Sequence, residues 1–326
     1  MKATHIPLMV VLATGMVMTT TPASAQAFPT RPLRLVVPFP PGGGTDNLAR
    51  PVAQSVGDAL GQPILVDNRA GGNTIIGAEF VARSAPDGYT LLLAGMTTLV
   101  LNAATYNKLP YDAIRDFAPI ARLAANYQVV VTRAGFAPRN LAEMVALAKS
   151  KPGTITYAST GNGSPGHFGG VNLEAAAGIK LVHVPYKGNA PAISDMLAEQ
   201  VDFALFGPSS VQALVKAGKL KVISAAAPAR FAAFPDVPTA TESGYAGYTS
   251  GTWYGVAARA GTPGAIIDRL NREINRALQL RAVKAALEKE GFEVDAGTSP
   301  QELARYIAEE TRMWTKIARN AKIELD

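Results

Sequence analysis

Short apolar segments alternate along this chain with amphipathic segments of helical period. In the first third the predicted strands are Leu33–Pro38, Ile64–Asn68 and Tyr89–Ala94, and the predicted helices are Thr45–Leu60 and a segment that follows the loop Arg69–Thr74 and ends at Arg83. This strand–helix–strand order indicates a parallel sheet with helices on both faces.

The middle of the chain repeats this order without repeating the sequence. The predicted strands are Gln128–Thr132, Thr154–Ser159, Leu181–Val184, Val201–Phe206, Leu220–Ala225 and Trp253–Ala258, and the predicted helices are Asn140–Lys149, Gly166–Ala177, Ala190–Glu199 and Ser209–Lys216. The end is helical: Thr262 before Pro263 predicts one helix start, and Ser299 with Glu302 is typical of a capping box.

Two α/β units in succession predict a chain of two lobes. Its 326 residues suffice for two domains of ~100–200 residues each. The first lobe is predicted to comprise residues 26–124 and 246–326, and the second lobe residues 125–245. The chain would then cross between the lobes twice, at Ala118–Asn126 and at Tyr245–Thr252. Two adjacent crossings would form a hinge.

Two glycine-rich turns, each between a predicted strand and a predicted helix, indicate a binding function. The first lies in LRLVVPFPPGGGTDNLAR (33–50) and the second in TITYASTGNGSPGHFGG (154–170). Backbone N–H groups without partners collect at such a turn, and together with the helix dipole they bind anions. One turn in each lobe would let the protein hold a carboxylate between the lobes.

The first turn has two interpretations. It can be only a tight turn, or the glycines at 42–44 can let the backbone approach a ligand closely. Thr45 and Asp46 are expected to cap the following helix. A carboxylate at Asp46 would repel an anion unless it holds the loop or meets an amine of the ligand. The turn is not a P-loop, because no Gly-Lys-Ser/Thr follows.

The second turn matches parts of two enzyme motifs. Residues 161–166 fit G-x-G-x-x-G, but Pro165 removes an N–H group, and no acidic residue follows where a ribose would need one. A nucleophile elbow at Ser164 would take an oxyanion donor from the next residue, which is again Pro165. Ser164 is better explained as a helix N-cap, with Pro165 as the first helical residue.

Metal and cofactor sites find little support in the composition. The chain has three histidines and no cysteine, which excludes disulfides and thiolate chemistry, and it lacks any metal-binding motif. Neither a metal nor a cofactor is therefore expected. His183 is expected to pack within a strand. For His167, beside the second turn, ligand contact and simple surface exposure both stay open.

The N-terminus predicts export. Lys2, the apolar stretch Ile6–Met18 and the small residues Ala23-Ser24-Ala25 form the pattern of a signal peptide cleaved near Ala25. The apolar run is shorter than a membrane span of ~20 residues. Removing Lys2, the one charged side chain before Gln26, lowers the net charge from +6 to +5. The basic residues are scattered, so nucleic acid is not an expected partner.

Five long segments carry a family resemblance: VVPFPPGGGTDNLAR, DNRAGGNTIIGAEFVARSAPDGYTLLL, GNGSPGHFGGVNLEAAAG, LVHVPYKGNAPAISDMLAEQVD and FPDVPTATESG. In them the chain resembles the extracytoplasmic solute-binding proteins of tripartite tricarboxylate transporters, the Bordetella uptake gene family. The resemblance covers essentially the whole mature chain. It implies an α/β, two-lobed periplasmic-binding-protein fold of type II, in which each lobe is a mixed sheet flanked by helices and two hinge crossings join the lobes.

The resemblance also implies a function: a periplasmic receptor, not an enzyme, that holds one small carboxylate and delivers it to membrane transporter subunits. An aromatic acid or a short mono- or dicarboxylate is favoured as the ligand, and the chain is expected to be a monomer. Together with the two turns, the resemblance predicts these ligand-binding residues: Phe39, Pro41, Gly42, Gly43, Gly44, Thr45, Asp46, Thr97, Thr98, Thr160, Gly161, Asn162, Gly163, Ser164, His167, Tyr186, Phe206 and Pro208.

Two other functions stay open from the sequence. A ligand-loaded sensor component that signals to a membrane kinase would need the same two lobes. A secreted serine hydrolase would use Ser164 as the nucleophile and His167 as the base.

Overall fold

The computed structural model describes residues 28–321 and 323, so the predicted signal peptide lies outside the described residues. The strands are β1 (Leu33–Val37), β2 (Ile64–Asn68), β3 (Thr90–Gly95), β4 (Phe117–Arg133), β5 (Thr156–Ser159), β6 (Val182–Pro185), β7 (Phe203–Phe206), β8 (Leu220–Ala226), β9 (Gly251–Arg259) and β10 (Glu293–Val294).

The helices are α1 (Gly44–Leu60), α2 (Ile75–Ala82), α3 (Asn102–Thr105), α4 (Leu141–Ser150), α5 (Pro165–Ala177), α6 (Asn189–Leu197), α7 (Pro208–Lys216), α8 (Gly264–Gln279), α9 (Arg281–Lys289) and α10 (Pro300–Ala321), and a π-helical turn spans Thr97–Leu101. Across residues 28–321, none of the helices combines the length and apolar character that a bilayer crossing requires.

The long strand β4 belongs to two sheets. As far as Tyr127, β4 pairs with β9, and β10 pairs with the other edge of this part of β4. From Gln128 onward it pairs with β7 and β8. The first sheet therefore has the order β2-β1-β3-β9-β4, and the second continues β4-β7-β5-β6. Each sheet contains parallel and antiparallel pairs, as the predicted mixed sheets require.

One predicted crossing is instead regular structure. Residues 118–126 lie inside β4 and pair with β9, with register shifts at Ile120 and Leu123. Both of these side chains are fully buried, so the segment is part of the core. The chain changes sheets within β4, between Tyr127 and Gln128. The return crossing runs beside it: the Gln128 N–H donates to the Ser250 carbonyl at 2.8 Å. The residue boundaries proposed for the two lobes stay a prediction.

Helices cover both faces of each sheet. In the first lobe α1, α8 and α9 pack on one face, while α2 and α10 pack on the other. In the second lobe α4 and α5 cover one face, and α6 and α7 the other. This arrangement leaves the ends of the strands uncovered, and the sheet ends are where the connecting loops are free to meet a ligand.

Local signals predict some helix starts correctly. At the capping box, the Ser299 N–H donates to the Glu302 carboxylate at 2.9 Å, and the Glu302 N–H donates to the Ser299 hydroxyl at 3.2 Å. Helix α8 begins one residue later than predicted, since Pro263 is its N-cap and Gly264 its first residue.

Helix α5 lies close to its surroundings on two sides. A Cβ atom at Gly170 would overlap the ring of Tyr157, and one at Gly169 would overlap the Ser250 hydroxyl. On another side, the ring of Phe168 meets Trp314 of α10 edge-on, with 5.1 Å between the centroids. The two glycines thus let α5 approach the second sheet while it also contacts the first lobe.

We expect Gly170→Ala to destabilise the protein. The added methyl group must displace the buried Tyr157 ring, and such overpacking typically costs about 1–3 kcal/mol. Gly264→Ala is the matched control, because nothing lies within 4 Å of a Cβ there, and it should leave stability unchanged or slightly raised. Urea unfolding measures both; equal stability of the two variants would contradict the close approach of α5.

Candidate functional site

The carboxyl ends of the parallel strands in both sheets meet at the junction of the lobes. In the first sheet, β1 and β3 run in the direction of β4, so they end where β4 leaves that sheet. In the second sheet, β7 runs against β4, and its last residue, Phe206, pairs with Val129 near the point where β4 enters. Strands β5 and β6 run parallel to β7. The loops after these five strands therefore open toward one junction, which is where α/β sheets bind ligands.

The first glycine turn presents unused backbone donors at the start of α1. Gly43 is the N-cap, without a side-chain cap, and Gly44 is the first helical residue. Among the described residues, no hydrogen bond uses the N–H groups of Gly43, Gly44 or Thr45. The prediction that Thr45 caps the helix is wrong, because Thr45 already lies within the first turn, where its hydroxyl is next to the phenol of Tyr254.

Asp46 holds the first turn from the protein side. Its carboxylate accepts hydrogen bonds from the Gly42 N–H at 2.9 Å, from Arg50 Nε at 2.8 Å and from Asn68 Nδ2 at 3.0 Å. Burial alone would raise the pKa of Asp46, but the hydrogen bonds from Arg50, Gly42 and Asn68 outweigh it and lower the pKa below its usual value. Only 2% of Asp46 is exposed, and its charge is offset by the ion pair with Arg50.

Asn68 is a residue of this site that the sequence analysis missed. Its amide donates to the Phe39 carbonyl at 3.2 Å as well as to Asp46, so it ties the end of β2 to the turn after β1. Phe39 itself lies edge-on to the ring of Tyr254, with centroids 6.1 Å apart. The available signal was a polar residue at the carboxyl end of a parallel strand.

At the second turn, the predicted cap is confirmed. Ser164 is the N-cap of α5, Pro165 is the first helical residue, and the Ser164 hydroxyl accepts from the His167 backbone N–H at 3.3 Å. The His167 ring instead accepts at Nδ1 from the Gly163 N–H, at 3.2 Å. The Ser164 hydroxyl thus bonds to the backbone of His167, and the His167 ring bonds to the backbone of Gly163. Ser164 and His167 therefore lack the hydroxyl–imidazole bond of a nucleophile and its base.

His167 is buried rather than exposed, so its simple surface exposure is excluded. Its ring stacks on that of His183, with centroids 3.9 Å apart and planes 5° from parallel. Burial lowers the pKa of His167 to about 4. Burial, together with the neighbouring His167, lowers the pKa of His183 to about 4 as well. Both rings are therefore neutral at neutral pH, and ligand contact by His167 stays a prediction.

The remaining predicted residues differ in how accessible they are. Thr160 and Asn162 are exposed at the tip of the second turn, and Thr97 is half-buried. Thr98 is fully buried, and its hydroxyl donates to Thr74 at 3.0 Å. Since the Thr98 hydroxyl is used within the first lobe, Thr97 is the better placed of the two threonines to contact a ligand.

Three predicted residues of the second lobe pack into it. Phe206 is 2% exposed, and Pro208 is buried as the first residue of α7. The Tyr186 hydroxyl donates to Asp195 at 2.8 Å, and burial and this carboxylate together raise the pKa of Tyr186 to about 12. These three side chains thus pack within the second lobe, whereas the backbone at Phe206, the carboxyl end of β7, lies at the junction.

Residues of the two lobes come close together at the junction. The amide oxygen of Asn126, in β4, would be 3.2 Å from a Cβ atom at Gly207. A Cβ atom at Gly291, which follows α9, would be 3.7 Å from the hydroxyl of Ser209 in α7. Asn126 was missed as a site residue because the sequence placed it in a connecting segment, where its position at the sheet ends was not evident.

Other features of the described residues do not coincide with this junction. Clefts of about 800 Å³ and 510 Å³ on the first lobe contain none of the predicted ligand-binding residues, whereas His167 lines a cleft of about 570 Å³ between α5, β6 and α10. Within the described part of the chain, no three His, Asp or Glu side chains are grouped so that they could hold a metal ion.

We expect the contribution of Asp46 to stability to depend on pH. Its folded-state pKa is lowered, so the contribution is present above the unfolded pKa of ~3.9 and is lost as the pH falls through the folded value. At pH 7, Asp46→Asn should cost about 1.5–3 kcal/mol, the value of hydrogen bonds to a charged group. The cost should shrink below about pH 4, where wild type also loses the charge.

Urea unfolding at pH 7 and in steps from pH 5 to pH 3 measures this effect. Asp58→Asn is the control, because Asp58 is an exposed residue of the same helix. A cost of Asp46→Asn that is constant over the whole pH range would show that the ionised carboxylate does not hold the turn.

Comparison with known proteins identifies the family and the fold of this chain. A family model described as the tripartite tricarboxylate transporter family receptor matches residues 48–323. The protein BugT of Bordetella pertussis is 35% identical over 305 residues, which is 93% of each chain.

Solved structures show the same fold. The periplasmic binding protein BugD is 32% identical, with a TM-score of 0.73 over 91% of this chain and 99% of its own. An R. palustris protein solved with adipate is 30% identical, with a TM-score of 0.76 over 91% and 99%. MatC of Rhodopseudomonas palustris, solved with bound malate, is 33% identical, with a TM-score of 0.72 over 89% and 99%. The predicted two-lobed fold is confirmed, and the chain belongs to the tripartite tricarboxylate transporter receptor family, whose members are periplasmic solute-binding proteins and not enzymes.

Proposed function

We propose that this receptor captures a small carboxylate between its two lobes in the periplasm and delivers it to the membrane subunits of a tripartite tricarboxylate-type transporter. In this proposal the signal peptide directs export and is then cleaved near Ala25. The observation that carries the proposal is the pair of glycine turns at the junction, each at the carboxyl end of a parallel strand and each at a helix N-terminus.

Backbone donors, and not a cationic side chain, supply the anion affinity in this proposal. Neither turn contains Lys or Arg. The first turn offers the N–H groups of Gly43, Gly44 and Thr45, which no described hydrogen bond uses. Helix N-termini bind anions because these donors point the same way as the positive end of the helix dipole. The charge of Asp46, which would oppose an anion, is offset by Arg50 at 2.8 Å.

The ligand class follows from what the turns can hold. One carboxylate would lie between the turns, and a second polar group would meet uncharged side chains such as Thr97, Thr160 and Asn162. The relatives solved with adipate and with malate hold dicarboxylates, which supports a short dicarboxylate here as well. Aromatic acids and short monocarboxylates fit the same anchor. Citrate, with three charges, is less suited because neither turn provides an arginine fork for further carboxylates.

Uptake is favoured over signalling to a kinase by the family match, since the matching model describes a transporter receptor. A hydrolase is disfavoured by the geometry of Ser164 and His167. The Ser164 hydroxyl accepts from the backbone N–H of His167, and the His167 ring accepts from the Gly163 N–H, so no hydroxyl–imidazole bond joins the two side chains.

We expect Gly44→Pro to weaken ligand binding about tenfold or more, which corresponds to one lost hydrogen bond to a charged acceptor. Gly44 is the first residue of α1, and Gly43 before it has φ −83° and ψ 170°, a conformation that a following proline accepts. The substitution therefore removes an N–H group with little change of the backbone. Calorimetric titration with malate and adipate measures the affinity.

Gly264→Pro is the matched control for this variant. Gly264 is the first residue of α8, and Pro263 before it has φ −55° and ψ 136°, so it should accept proline equally well and leave affinity unchanged. Equal affinities of Gly44→Pro and wild type would refute the backbone-donor model.

A thermal-shift panel on the mature protein tests the ligand class. We expect C4–C6 dicarboxylates or aromatic acids to raise the melting temperature, because a ligand that binds only the folded state at 100 times its Kd adds ~2.7 kcal/mol of stability. Amines, neutral sugars and metal ions should have no effect. A strong shift with citrate alone, or only with uncharged solutes, would overturn the proposed class.

A further inference from the structure

Two stacked histidines and a buried serine lie directly beneath the second glycine turn. His183 is in β6, opposite Tyr157 of β5, and His167 is in the first turn of α5. Ser159 is the last residue of β5 and is fully buried. The three side chains are thus supplied by the three elements that surround the turn.

Their hydrogen bonds fix the backbone of the turn at two glycines. The Gly161 N–H donates to Ser159 Oγ at 3.1 Å, and the Gly163 N–H donates to His167 Nδ1 at 3.2 Å. The Ser159 hydroxyl donates its one proton to the Gly161 carbonyl at 3.0 Å. The 2.7 Å contact between Ser159 Oγ and His183 Nε2 is then satisfied when His183 carries its proton on Nε2 and donates it to the serine.

The arrangement requires neutral imidazoles, because a protonated His167 could not accept at Nδ1. Burial provides this condition: the pKa of each ring is lowered to about 4. Gly163 is also buried, so leaving its N–H group without an acceptor would cost free energy. The turn therefore depends on this acceptor to keep its shape.

Used and unused donors alternate along the turn. The N–H groups of Gly161 and Gly163 bond to the side chains beneath, whereas no described hydrogen bond uses those of Thr160 and Asn162, both of which are exposed. Successive N–H groups that are divided in this way present every second donor outward, as in the backbone concavities that bind anions.

We propose that His167, Ser159 and His183 are positioning residues of the carboxylate site. In this inference, which rests on the proposed function, they orient the donors of Thr160 and Asn162 toward the ligand by holding Gly161 and Gly163 from the core side, and they do not touch the ligand. His167 thereby affects binding through the backbone, which separates this role from the ligand contact predicted from the sequence.

Two variants of His167 test the inference by calorimetric titration with malate and adipate. His167→Phe keeps the stacked ring but leaves the Gly163 N–H without an acceptor, and the affinity should fall at least tenfold. His167→Asn places an amide oxygen near the position of Nδ1 and should restore the affinity to within about threefold of wild type. Equal losses in both variants would overturn the positioning role of His167.

A second comparison does not depend on whether the His167 variants fold. Ser159→Ala removes the acceptor of the Gly161 N–H and should weaken binding several-fold. Ser224→Ala is the control, because Ser224 is equally buried in the same sheet, and its hydroxyl makes only a 3.4 Å bond to the Pro238 carbonyl. It should retain wild-type affinity. Equal affinities of the two alanine variants would contradict the inference.

Amide hydrogen exchange followed by NMR gives a readout that needs no ligand. The Gly163 amide should exchange slowly in wild type and in His167→Asn, and faster in His167→Phe, while amides of the β4 core stay protected in all three. If wild type binds no carboxylate but shows this exchange pattern, the proposed function fails and the support of the turn by His167 stands. If wild type binds and the exchange of Gly163 is the same in all three, the inference fails alone.

Discussion

The pairing of one long strand with two sheets is the constraint on which the rest of the molecule depends. Strand β4 runs antiparallel to β9 in the first lobe and antiparallel to β7 in the second. These two pairings fix the direction of every parallel strand relative to the junction, so that all of them end there. Gly251 permits this close crossing, because a Cβ atom there would be 2.5 Å from the Asn126 carbonyl oxygen. The site is thus a consequence of strand direction before any side chain is considered.

In the proposed function, backbone donors would accommodate an anion without a dedicated cationic side chain. At the first turn, a buried carboxylate takes the N–H group of Gly42 and leaves those of the next three residues unused. At the second turn, an imidazole and a hydroxyl take two N–H groups and leave others unused. In both turns, side chains on the protein side decide which backbone donors remain available, and the helix dipole adds to their effect.

Much of the fold could be predicted from the sequence. Strand β2 has the predicted bounds, and most other predicted elements agree with the structure to within about two residues. The Ser164 cap and the Ser299 capping box are correct because each involves groups only three residues apart. The glycine turns are likewise visible in the sequence, since a turn between a strand and a helix is a local feature. Helices α3 and α9, strand β10, the π-helical turn and the part of β4 before Gln128 were not predicted.

What the sequence by itself determined was therefore the order of elements, their local caps and the two turns that can bind an anion. The tertiary structure alone decided which polar side chains of the predicted site are used inside the protein. Thr98 is buried by a bond to Thr74, 24 residues away, and Asp46 is engaged by Asn68, 22 residues away. His167 is buried by stacking on His183 from another strand. Periodicity reports which residues are buried in one element, but contacts between distant elements determine where a polar side chain points, and only packing sets those contacts.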